Sequence, residues 1–83
     1  MIRRAVFSTV PQRDDYVLTP TGLTWNIDRA HGDGSVSRVS SGERDRAVAQ
    51  RALLSLAARD GTDAWAGAGI RFYQLIERHR GSP

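Results

Sequence analysis

The sequence predicts an α+β domain in which a small antiparallel sheet of hairpins packs on one principal helix, over about residues 42–60. Three observations carry this. Leu23 to Asp28 alternates apolar and polar residues strictly, the pattern of a half-buried strand. Glu43 to Arg59 is rich in Ala, Leu, Arg and Gln, which are good helix formers. Turn residues in Thr19-Pro20-Thr21-Gly22 and His31-Gly32-Asp33-Gly34 separate the extended segments.

In chain order, Ile2 to Val10 is apolar and β-branched enough for a first strand, closed by Pro11, which cannot donate to a ladder. Gln12 to Asp15 reads as a polar loop, and Tyr16-Val17-Leu18 resumes an extended run up to the turn at residues 19–22. In the alternating strand, Leu23, Trp25 and Ile27 share one face, and Thr24, Asn26 and Asp28 the other. The Asp-Gly in the 31–34 segment tolerates positive φ and predicts a second hairpin. Its returning strand would run from Ser35 to Ser40. There Val36 is out of phase with Val39, which implies an uncertain register or a bulge in a short strand near an edge.

Ser40 or Ser41 is placed to open the helix, with Glu43 three residues beyond Ser40 as in a capping box. Val48, Ala49, Ala52, Leu53, Leu56 and Ala57 then form an apolar stripe, and Arg44, Arg51, Ser55 and Arg59 a polar one. Small residues in the stripe would let the helix lie close against a sheet. Asp60-Gly61 supplies the exit.

The last third admits two readings. Trp65, Gly69, Phe72, Ile76 and His79 recur at heptad-like spacing, which would suit a helix from Asp63 to Arg80. Gly67 and Gly69 would then lie inside it, each at a cost of roughly 1 kcal/mol relative to alanine. The preferred reading is a hairpin with strands over Thr62 to Ala66 and Ile70 to Glu77, joined by Gly67-Ala68-Gly69.

Composition narrows the classes of function. The chain of 83 residues is expected to form a single domain, 1–83, with a modest core. It has no cysteine, which excludes disulfides and thiolate metal sites and leans toward a reducing compartment. The basic start at Arg3-Arg4 is followed by too short an apolar run for an export signal, so a cytoplasmic location is expected, without membrane association. All twelve basic residues are arginine, with no lysine, and the net charge is +3. Biased codon usage in a genome rich in G and C accounts for such a set. Selection for guanidinium-mediated recognition, or against lysine modification, would produce it too.

Catalytic chemistry is thinly supplied. His31 and His79 are far apart in sequence, and neither has a local partner for a metal or a nucleophile. Ser40 and Ser41 read as caps, and Asp14-Asp15 and Asp60 with Asp63 as solvated turn carboxylates. The glycine loops at 31–35 and 66–69 lack the lysine of a phosphate-binding loop. The expectation is therefore a non-catalytic chain with no cofactor, no metal and no small-molecule substrate.

The remaining signal lies in Ile70 to Arg80. As a strand under the helix it would put Ile70, Phe72, Gln74 and Ile76 inward, and Arg71, Tyr73 and Leu75 on an open sheet face with Phe7 of the first strand. Tyr and Arg are enriched at protein interfaces. Hence the expected function is a protein-interaction module, regulatory or adaptor in kind, that pairs with another protein or with itself as a homodimer through Arg71, Tyr73, Leu75 and Phe7. The alternative is a nucleic-acid-binding protein that meets phosphates through Arg3, Arg4, Arg71, Arg78 and Arg80. Those five would converge only if the first and last strands are neighbours.

Overall fold

The computed structural model describes residues 10–68 and 71–75. Expectations for Arg3, Arg4, Phe7, Arg78, His79 and Arg80 lie outside these residues, as does the first strand apart from Val10, which sits in a bend. The described chain is α+β: five strands in one mixed sheet, with one helix against it. The elements are β1 (Tyr16–Thr21), β2 (Thr24–Ala30), β3 (Val36–Glu43), α1 (Arg46–Asp60), β4 (Ala64–Ala68) and β5 (Arg71–Leu75). Their order in the sheet is β3-β2-β1-β4-β5.

The sheet is not purely antiparallel. After the two hairpin connections from β1 to β3, the chain crosses through α1 and sets β4 parallel to β1, with Tyr16, Val17 and Leu18 beside Ala64, Trp65 and Ala66. The final hairpin then pairs β5 antiparallel to β4. Strand geometry from Ala64 to Ala68 and Arg71 to Leu75 resolves the last third in favour of the hairpin, although Gly67 and Ala68 belong to the strand rather than the turn.

Two boundaries differ from expectation. β1 continues through Pro20 and Thr21, and the turn is Gly22-Leu23, closed by the pair Thr21 and Thr24. Gly22, at φ 59°, takes the positive angle that a two-residue hairpin needs at its first position. β4 pairs only residues 16–18, so at Pro20 the strand has a single neighbour, a condition in which proline is tolerated. Leu23 accordingly lies in the turn, 87% exposed, and not on the core face of β2.

The helix starts later than the capping-box reading placed it. Ser40 and Ser41 stay in β3, where Ser40 pairs with Ile27, and the cap is Asp45, whose Oδ1 accepts the Ala47 N–H at 2.9 Å. Glu43 Oε2 in turn accepts the Asp45 N–H at 3.1 Å. At the other end Gly61, at φ 72°, donates back to the carbonyls of Ala57 and Ala58.

The core lies between α1 and one sheet face. Ala49, Leu53 and Ala57 meet Tyr16, Leu18, Ile27 and Ala64, with Trp25, Leu54, Leu56 and Leu75 packed around them. Val48 and Ala52, at the margin of the predicted stripe, are exposed. β3 is an edge strand of the described sheet, and its register with β2 shifts twice between Asp28 and Trp25. The suspected bulge is therefore real, although the strand is longer than expected.

Candidate functional site

Cross-strand partners share a sheet face, so the register assigns every side of β5. Ala64 stands beside Tyr16 on the helix side, and Leu75 is opposite Ala64. Leu75 therefore packs on the core beneath α1. Tyr73, opposite Ala66, is on that side too, while Phe72, opposite Gly67, faces the other way and lines the groove on the sheet's far side. This reverses the faces expected from sequence: Tyr73 and Leu75 are on the helix side, and Phe72 is on the open one. The alternation was read correctly but its phase was not, because a strand with apolar residues on both sides does not show which side a helix covers.

Despite the reversal, Arg71, Phe72 and Tyr73 are all exposed, with Phe72 at 37% and Tyr73 at 51% of their full surface. β5 pairs with β4 over five successive residues with no register shift. The two edges of the described sheet thus differ. β3 is bulged, a device that blunts strand addition, whereas β5 is regular and flanked by aromatic groups on both faces. Of the residues expected to bind a partner, Arg71 and Tyr73 are brought together here, Leu75 is committed to the core, and Phe7 lies outside the described residues. Among the arginines of the nucleic-acid alternative, only Arg71 is described.

Of the carboxylates expected to be solvated, Asp15 is instead built into the fold, while Asp60 stays exposed and Asp14 half-exposed. Asp15 is 1% exposed. Its Oδ1 accepts the Asp63 N–H at 3.1 Å, and its Oδ2 accepts the Gln12 N–H at 2.9 Å and the Trp65 indole N–H at 3.0 Å. A buried indole N–H needs an acceptor, which was the available signal for this contact. Asp60 accepts the Tyr16 hydroxyl and an Arg59 N–H at 3.0 Å. The Arg59 bond holds the Asp60 carboxyl below its usual range, with the Tyr16 bond second. That same bond to Asp60, followed by burial, pushes the Tyr16 hydroxyl up. These groups tie the helix end to β1.

Other polar groups also have local work. The Arg38 Nε–H donates to Asp28 Oδ1 at 2.6 Å across the β2–β3 pair. Asn26 and Asp28, on the nominally polar face of β2, are 3% and 5% exposed, so these two side chains are buried and hydrogen-bonded rather than wet. Arg29 pairs with Asp14 at 3.1 Å, and Arg46 lies 5.5 Å over the Trp25 ring. In the 31–35 loop, His31 hydrogen-bonds to Ser37 at 2.6 Å, and hydrogen bonds from the Ser35 hydroxyl and backbone hold Asp33 below its usual range. Among the described residues no group of three or more His, Asp or Glu side chains converges as a metal site, and no helix is long and apolar enough to cross a membrane.

Compared with protein-family models, curated proteins and solved structures, the chain matches none.

Proposed function

We propose that this chain is a small non-catalytic protein-interaction module that docks along β5, with a second copy of the chain as its partner. The observation that supports this reading is the contrast between the two edges of the described sheet: a bulged β3, and a regular β5 carrying exposed Arg71, Phe72 and Tyr73. Antiparallel addition of a second β5 would satisfy backbone groups at the edge and bring aromatic side chains together on both faces. Such pairing is isologous and closes as a dimer.

Sedimentation of the full chain at low and high salt, alone and with a mixed oligonucleotide, tests the proposal. Self-association that persists in high salt supports it. A monomer that binds oligonucleotide at about 50 mM salt and releases it as salt rises would replace it with the nucleic-acid alternative.

A further inference from the structure

The sheet face away from α1 carries a groove of about 740 Å³, reaching from the 31–35 loop across β2 and β1 to β4 and β5. This lies within the range of roughly 300–1,000 Å³ typical of small-molecule sites. Val10, Pro11, Val17, Ala30, Val36 and Phe72 supply its apolar lining. Gly67 leaves the space between Val17 and Phe72 open. A Cβ added there would stand 3.8 Å from Val17 Cγ1 and 3.9 Å from Phe72 Cε1, in ordinary contact and without a clash.

Among the described residues lining this groove, Asp28 is the one charged side chain. Its Oδ1 is held by Arg38, whereas its Oδ2 meets, among the described residues, only the Thr19 hydroxyl at 3.4 Å. A carboxylate has about four acceptor positions, so Asp28 retains capacity for a further donor. The Arg38 side chain is 55% exposed and does not line the groove, nor does any other described arginine. The described lining is thus mainly apolar, with Gln12, Thr19 and Ser35 as neutral polar groups and one buried carboxylate. Arg38 already pairs with Oδ1, so what Asp28 offers the groove is the unfilled acceptor positions of Oδ2: an amine N–H can donate there, whereas a carboxylate ligand would set a second acceptor against it.

We propose that the groove binds a small apolar molecule bearing a primary amine, its body between Val17, Val36 and Phe72 and its ammonium donating to Asp28. The inference concerns binding alone and does not require pairing along β5, although Phe72 belongs to both surfaces. Titration of the isotope-labelled full chain with tryptamine, 3-ethylindole and indole-3-propionate, followed by amide chemical shifts, tests it with one aromatic body and three head groups. Tryptamine is expected to shift the amides of Gly67, Phe72 and Val36 saturably, and to bind about tenfold or more tightly than indole-3-propionate, with 3-ethylindole between them. Gly67→Ala, which the surrounding space accommodates, should weaken tryptamine several-fold without loss of the folded spectrum, and Asp28→Asn should remove the preference for the amine. The proposal is overturned if tryptamine does not bind up to its solubility limit, if the carboxylate ligand binds as well, or if Gly67→Ala leaves affinity unchanged.

Discussion

The Trp65 indole N–H donates to Asp15 Oδ2 at 3.0 Å, joining the loop before β1 to the start of β4 across 50 positions of sequence. With the Asp63 and Gln12 N–H groups on the same carboxylate, this contact sits where the two parallel strands begin. Asp15→Ala would leave three donors without their acceptor, so it is expected to destabilise the fold by about 3 kcal/mol or more. Trp65→Phe, which removes one donor and leaves the carboxylate its two backbone partners, should cost less, about 1–2 kcal/mol. Urea denaturation of both variants checks the ordering.

The Tyr16–Asp60–Arg59 chain makes stability depend on pH at both extremes. Asp60 has a folded value below the 3.8 of a free side chain, so its contribution is present above 3.8 and is lost as pH falls through the folded value. Tyr16 has a folded value above 10.0, so its contribution is present below 10.0 and is lost as pH rises through the folded value. In a Tm-against-pH curve, Tyr16→Phe removes the hydroxyl from this chain and should remove the part of the alkaline limb that sets in above pH 10, leaving the contribution of Arg59, which is also raised by Asp60 and is lost only at higher pH. The acid limb should flatten only in part, because Arg59, the larger influence on Asp60, remains.

The start of α1 provides a third check. Asp45→Ala removes the side chain that accepts the Ala47 N–H and should cost about 1 kcal/mol. Ser40→Ala, at the position the capping-box pattern singled out, lies on the exposed edge strand and should change stability by less than about 0.5 kcal/mol. Thermal melts of the two variants separate an Asp45 cap from a Ser40 one.

Local patterns were legible and long-range ones were not. The alternation in Trp25 to Asp28, the helical stripe centred on Leu53, and the glycines at 61 and 67 all report on residues a few positions apart, and they led to β2, α1 and the last hairpin. No sequence period encodes the parallel pairing of Tyr16–Leu18 with Ala64–Ala66, which closes only after the whole β2–β3–α1 crossover. That pairing decides which side of β5 the helix covers, and so it moved Leu75 into the core and Phe72 out of it. Asp15 was misread for the same reason, since its partners lie mainly in β4 and the turn before it. Arg71 and Tyr73 kept their exposure because β5 is the outermost strand of the described sheet.

The β5 interface is tested most directly by amide chemical shifts of the wild-type chain and Tyr73→Ala, followed from micromolar to millimolar concentration. Pairing along β5 predicts concentration-dependent shifts concentrated in Arg71 to Leu75, and their marked reduction in Tyr73→Ala with the core resonances of Leu18 and Leu53 unmoved. Shifts that do not change with concentration, or that gather on β3 while β5 stays silent, would contradict it.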